Sequence, residues 1–357
     1  MSDKHVYTTD GKVKLFSRDE EVNIKLGKII GDKFIQYRKR WDAVNRFELV
    51  TEFPLFLQLD MNQNCNLSCC QCIKSTPELE NKYYGDNKKA LSWETFKEII
   101  HEAQEYDCPS FSPSGINEPL LMKDLEKYLK YAQDHGFLDI IINTNGTLLT
   151  EERSKKLLDS GLTRIRFSID AATPETYEKI RKRGNYYEVI KNIERFLSLK
   201  ESKGYKLPIT GTNFCKISIN EHETNDFLNY WVEKVDQVTI QTFAPLVSSE
   251  KFLNYYPSDQ MGIGDKLKVF KCPQPFQRIN IRNYDIMPCC TFFDSRLKIG
   301  NLESDSIYKV WNGEAINQLR DLHKRGDYFK SAICKTCVNL SYPKKLLNKY
   351  INNFEKF

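Results

Sequence analysis

From Phe53 to Asn220 the chain alternates short apolar runs with longer stretches whose apolar positions recur at helical spacing. Short runs bounded by turn residues and separated by amphipathic segments mark repeated βα units that feed a parallel sheet. Six runs read as strands: Phe53 to Asp60, Ser110 to Ser114, Asp139 to Asn143, Arg164 to Ile169, Ile209 to Ile217 and Gln237 to Thr242. Five segments between them read as helices: Trp93 to Tyr106, Lys123 to His135, Glu151 to Ser160, Pro174 to Lys200 and Glu223 to Val235. Ser92, Thr150 and Thr173 occupy N-cap positions, with Pro174 in the first helical turn. The pattern predicts an α/β fold, a partial (βα)6 TIM-like barrel over residues 51–246.

The flanks read differently. Residues 1–50 form a Lys-rich lead segment with a helix expected around Lys33 to Phe47, too short for a complete appended leader-peptide-binding domain. Residues 247–271 are polar and rich in Tyr and Ser, as in a linker. A small Cys-rich module follows over 272–340, and then a tail, 341–357.

Composition narrows the chemistry. The charge of +5 comes from 53 basic and 48 acidic residues spread along the chain, which speaks against a nucleic-acid partner. No apolar run approaches the roughly 20 residues that cross a bilayer, and the polar N-terminus lacks an apolar signal core, so no membrane role and a cytoplasmic location are expected. In a reducing compartment eleven cysteines are better read as metal ligands than as disulfides.

The segment LQLDMNQNCNLSCCQC sets Cys65, Cys69 and Cys72 at spacings of four and three just after the first strand. Thiolates hold iron–sulfur clusters and zinc alike, and short spacings let one loop supply several to one centre. Three thiolates on a four-iron cluster leave one iron open to an external ligand. A second set, Cys272, Cys289 or Cys290, Cys334 and Cys337, suffices for a closed four-ligand site. Its CPQP and CKTC elements also suit a zinc ribbon, so a zinc-stabilised, non-catalytic binding protein stands as the alternative.

The CxxxCxxC loop resembles the signature of the radical S-adenosylmethionine (radical SAM) superfamily, whose fold is a partial βα barrel. SPSGINEPLL, Ser112 to Leu121, is similar to the family's GGEP motif, and IINTNGTLL and RIRFSIDAATPETYEKIR to its third and fourth strand ends. The C-terminal region, with Gly300 to Leu302 and the Trp311 segment, resembles the family's SPASM or twitch modules. The resemblance implies a [4Fe–4S] cluster on Cys65, Cys69 and Cys72 that binds S-adenosylmethionine and, on reduction, yields a 5′-deoxyadenosyl radical. It implies Gly115, Asn117 and Glu118 near the cofactor's ammonium group, Asn143 or Thr144, Ser168 and Asp170 along its ribose or methionine, and Arg181 on its carboxylate. It implies one auxiliary [4Fe–4S] cluster on the second set, with Cys289 preferred to Cys290. It further implies a peptide or sugar-like substrate that is epimerised, crosslinked or oxidised, and a reductase, flavodoxin or ferredoxin as electron donor.

Several residues depart from that pattern. Gln71 stands where the family usually has an aromatic residue, Cys70 is an extra thiol, Asn117 stands where Gly is common, and Tyr284 replaces a hairpin glycine. Cys215, on the fifth strand, is a candidate hydrogen-atom donor to a substrate radical, which favours epimerisation, although an unpaired Cys often serves as a small buried hydrophobe. Cys108 reads the same way with less reason for function. His101, His135, His222 and His323 show no ligand spacing and are expected at the surface.

Overall fold

The computed structural model describes residues 6–9, 13–84, 89–266, 269–289 and 295–344. Among these, eleven strands form one sheet: β1 (Val6–Thr9), β2 (Val13–Ser17), β3 (Phe56–Leu59), β4 (Ser110–Ser112), β5 (Asp139–Thr144), β6 (Arg164–Ser168), β7 (Ile209–Lys216), β8 (Gln237–Thr242), β9 (Arg278–Arg282), β10 (Asp285–Met287) and β11 (Gly300–Asn301). Their spatial order is β1-β2-β8-β7-β6-β5-β4-β3-β9-β10-β11. Strands β3 to β8 run parallel, each beside its neighbour in sequence, as the six apolar runs predict.

Both ends of this parallel set are extended by chain from outside it. The lead segment contributes the β1–β2 hairpin, which adds antiparallel to β8, and two helices, Val22–Ile30 and Asp32–Asn45. At the other end β9, six residues beyond Cys272, lies parallel to β3 with Gln58 opposite Asn280 and Leu59 opposite Ile281. The Cys-rich region is therefore joined to the barrel by a sheet ladder.

Alternation along the strands sorts the side chains between two environments. Leu57, Leu59, Phe111, Ile140, Ile142, Ile165, Phe167, Phe214, Val238, Ile240, Ile279 and Ile281 belong to the main apolar core. Removing one such fully buried side chain from water stabilises the fold by roughly 1.5–3 kcal/mol. The opposite face, lining the barrel, carries Gln58, Ser112, Asn143, Ser168, Asn213, Cys215, Thr239, Gln241 and Asn280. A sheet covered by helices on one side and lined with amides and hydroxyls on the other is suited to hold a polar ligand.

One expected helix is divided. Pro174 to Lys200 reads as continuous, yet the chain forms helices Pro174–Ile180 and Tyr186–Ser202. Between them Arg183 adopts a left-handed φ of 74°, and a Cβ on Gly184 would lie 2.9 Å from the Tyr177 ring. Asn185 caps the second helix through Glu188 N–H. The break frees main-chain carbonyls for contacts elsewhere: Ile180 C=O accepts from Cys70 N–H (2.9 Å) and Lys182 C=O from Ser68 N–H (3.1 Å).

Candidate active site

The loop after β3 is held by main-chain bonds, to the divided helix and within itself, where Cys72 N–H donates to Cys69 C=O (2.9 Å) and Ser75 N–H to Cys72 C=O (3.1 Å). This winding brings Cys65, Cys69 and Cys72 within electrostatic reach of one another. Burial raises all three thiols above their ordinary range, Cys69 to about 12, with the Arg181 guanidinium opposing that rise. Three protonated thiols crowded on one loop are the donor set that a cationic metal core would convert to thiolates. Among the described residues no three His, Cys, Asp or Glu side chains converge closely enough for a single metal ion.

Gln71 and Cys70 acquire a physical account. The Gln71 amide donates to Asp170 Oδ2 (3.0 Å), and Cys70 is buried in a small apolar cluster with Ile73, Ile180, Ile217 and Phe243. Asp170 is a hub. Its Oδ2 also accepts from Arg181 Nη2 (2.6 Å), its Oδ1 from Cys215 N–H (2.7 Å), and its carbonyl from Asn220 (2.8 Å). These bonds hold a non-glycine residue at φ 63°, a conformation that costs about 1–2 kcal/mol. Arg181 in turn donates from Nε to Ile169 C=O (3.0 Å), and its Nη1 lies 3.9 Å from Cys69 Sγ. The residue expected on a cofactor carboxylate is thus paired with Asp170 and placed against the thiol loop.

The GGEP-like segment is tied into the protein. Glu118 accepts from Thr144 Oγ1 (2.7 Å), Leu120 N–H (3.0 Å) and Asn145 N–H (2.7 Å), and burial raises its carboxyl. Asn117 accepts from Gly115 N–H (2.7 Å) and donates to Pro113 C=O (3.1 Å). A Cβ on Gly115 would overlap the Asp60 carboxylate, so the close approach that this glycine permits is to Asp60. Thr144 shares the core-facing register of Ile142 and holds Glu118. Asn143 and Ser168 face the barrel interior, where Asn143 accepts from Asn213 (3.3 Å) and Ser168 pairs in register with Asn213.

Cys215 lies on the same interior wall, opposite Gln241, and burial raises its thiol strongly. Cys108 is 4% exposed, bonds Ser110 C=O at 3.7 Å, and is pushed up to about 12 by burial, as a small core residue would be.

In the second set, Cys289 and Cys337 pack on one apolar cluster of Met287, Leu297, Ile333 and Leu340. Cys334 and Cys337 share helix Ala332–Ser341, where Cys334 N–H donates to Ser331 Oγ (3.3 Å). Cys290 lies outside the described residues. His323 was expected at the surface and is instead 2% exposed, with Nδ1 accepting from Cys272 N–H (3.3 Å) and burial lowering its pKa to about 4. Ile316, Arg320 and His323 are the buried positions of helix Glu314–Arg325, at offsets of four and three, and that spacing is the signal in the sequence. Asp60 and Asn280, buried where β3 meets β9, carried no motif.

Comparison with known proteins agrees with this arrangement. Residues 60–216 match the model of the radical SAM superfamily, and residues 272–338 that of an iron–sulfur cluster-binding domain, SPASM. A probable GTP 3′,8-cyclase of Methanocaldococcus jannaschii is 30% identical over 56% of this chain and 62% of its own length. A counterpart from Methanococcus maripaludis is 35% identical over 40% of this chain and 45% of its own length, so the chain spans under two thirds of these relatives. Among solved structures, anSMEcpe with bound AdoMet superposes with TM-score 0.56 at 17% identity, covering 85% of this chain and 92% of that one. Streptococcus suis SuiB bound to S-adenosylmethionine superposes at 0.54 and 14% identity, covering 93% and 84%. Both share the fold. Among the described residues no helix is long and apolar enough to cross a membrane. The cofactors of the two matched domains are a [4Fe–4S] cluster bound with S-adenosylmethionine and an auxiliary iron–sulfur cluster, and the thiol loop fits the first by its donor chemistry. The chain belongs to the radical SAM superfamily and carries a C-terminal SPASM-type iron–sulfur domain.

Proposed function

We propose that this chain is an enzyme that cleaves S-adenosylmethionine reductively and abstracts a hydrogen atom from carbon in a peptide or sugar-like substrate, the peptide being favoured. The observation that carries the reading is the loop of Cys65, Cys69 and Cys72, latched to the barrel by the Gln71–Asp170–Arg181 contacts where the parallel strands end. Cys65, Cys69 and Cys72 would hold the [4Fe–4S] cluster, which would supply the electron for splitting S-adenosylmethionine. The protein's part is to keep the loop rigid, to exclude water with the Cys70, Ile73, Ile180 and Ile217 cluster, and to offer hydrogen-bonding groups such as Asn143 and Ser168. Cys272, Cys289, Cys334 and Cys337 serve the auxiliary cluster. The peptide is favoured because anSMEcpe was solved with a Cp18Cys peptide and SuiB with the precursor peptide SuiA.

Cys215 gives its S–H hydrogen to the substrate radical, and one electron and one proton from the external reductant restore the thiol. That reductant is a flavodoxin, a ferredoxin or their reductase.

The Cys65→Ala/Cys69→Ala double variant tests the reading. It should form no 5′-deoxyadenosine from S-adenosylmethionine and dithionite, and undiminished formation would remove the proposal. Anaerobically purified chain should carry about eight irons with matching sulfide, as two four-iron clusters require. Zinc without sulfide would return the non-catalytic alternative. Action on a purine nucleotide is a second reading, since a probable GTP 3′,8-cyclase of Methanococcus aeolicus is 28% identical over 77% of this chain and 96% of its own length. Incubation with GTP separates the two.

A further inference from the structure

Six buried polar atoms without a hydrogen-bond partner lie on four residues of one seam, where the barrel meets the Cys-rich region: both carboxylate oxygens of Asp60, Nδ2 of Asn62, Oε1 of Gln63, and Oδ1 and Nδ2 of Asn280. Asp60 is 1% exposed and Asn280 is fully buried. Register places them together. Gln58 pairs with Asn280 across β3 and β9, Asp60 N–H donates to Ile281 C=O (2.9 Å), and the intervening Leu57, Leu59, Ile279 and Ile281 all face the apolar core. Asp60 and Asn280 therefore share the interior wall. Asp60 lies five residues before Cys65, and Asn280 eight after Cys272, so the seam is built from chain that adjoins each thiol set. The charged groups acting on Asp60 are Arg282 and Lys74, and burial still raises its carboxyl to about 6.

Buried polar groups normally find partners, because each one left unpaired costs about 1–3 kcal/mol. Several such groups on one wall point to a ligand that completes them. Asn280 presents a donor and an acceptor together, and Asp60 presents two acceptors. Peptide main chain matches both: the C=O and N–H of one residue pair with the Asn280 amide N–H and Oδ1, and a neighbouring N–H goes to Asp60.

We infer that Asp60 and Asn280 form a substrate-anchoring site that binds peptide main chain where the barrel meets the Cys-rich region. The inference rests on the radical-enzyme reading above and adds to it where the substrate's main chain is held.

The test uses the full chain reconstituted with iron and sulfide and loaded with S-adenosylmethionine, with acetyl-trialanine amide as probe and saturation-transfer NMR as readout. Wild type should bind the probe. Asp60→Asn and Asn280→Leu should each weaken binding about tenfold, the loss of one or two hydrogen bonds. The melting temperature should stay level or rise, since Asp60→Asn removes a buried charge and Asn280→Leu two unpaired buried polar atoms. Binding equal to wild type in both variants, no binding by wild type up to the probe's solubility limit, or a melting temperature lowered by several degrees with binding kept would overturn the site. The last result would mark a seam that is structural only. Methyl glucoside bound in place of the peptide, with the same dependence on Asp60 and Asn280, would overturn the assignment to an amide. Failure of the underlying reading shows separately, as wild-type chain that makes no 5′-deoxyadenosine.

Discussion

Asp60 and Asp170 are two carboxylates in the same barrel, each nearly sealed from water, and they are used in opposite ways. Asp170 spends both oxygens on protein donors, with the Arg181 guanidinium at 2.6 Å, the Gln71 amide at 3.0 Å and Cys215 N–H at 2.7 Å. The Asp60 carboxylate has no hydrogen-bond partner and is packed against the bare Cα of Gly115. A buried charge that is paired and hydrogen-bonded fixes geometry, whereas one left without partners opposes folding and is kept for another reason. The first position shapes the thiol loop. The second keeps hydrogen-bonding capacity that the protein itself does not use.

The largest expected effect breaks the Asp170 side of this contrast. Asp170→Asn leaves the buried Arg181 charge uncompensated and should lower stability by about 3–5 kcal/mol in urea unfolding, with loss of reconstituted iron. Arg181→Gln should fall in the same range. If either variant unfolds like wild type, the hub is not what holds the loop.

Next comes Asp60, with the opposite sign. Its folded-state pKa of about 6 lies above the ordinary 3.8 because of burial. The folded chain thus retains a proton that the unfolded chain releases between those values. The favourable contribution is full below about pH 3.8 and is lost as pH rises through about 6, on the order of 3 kcal/mol. Asp60→Asn should remove that part of the decline, seen as a flatter unfolding free energy between pH 4 and 7. An unchanged slope would mean that Asp60 is not the group that titrates.

A smaller effect probes the link between the loop and the hub. Gln71→Leu removes one hydrogen bond to a charged carboxylate and should cost about 1–2 kcal/mol, while Cys70→Ala tests the apolar side of the same turn. Smallest in stability is Cys215→Ser, expected within about 1 kcal/mol of wild type because a thiol and a hydroxyl are similar in size. Its effect belongs to product chemistry. Epimerised product should disappear while 5′-deoxyadenosine continues to form.

The amino-acid sequence by itself determined what depends on neighbours a few residues apart. Strand β8 falls at Gln237–Thr242 as expected, and the Ser92, Thr150 and Thr173 side chains each accept a capping bond from a main-chain N–H at the three predicted helix starts, because period and capping are local properties. The spacing of Cys65, Cys69 and Cys72 is equally local, and it pointed to the right superfamily. Tertiary structure alone decided what requires residues far apart to meet. The divided helix at Arg181–Asn185 exists because its carbonyls serve a loop over a hundred residues earlier. Gln71 makes sense only beside Asp170, His323 only beneath Cys272, and β9 only against β3. Asp60 and Asn280 read as ordinary polar residues until the sheet aligns them, since nothing within a few positions of either one records that the other is there.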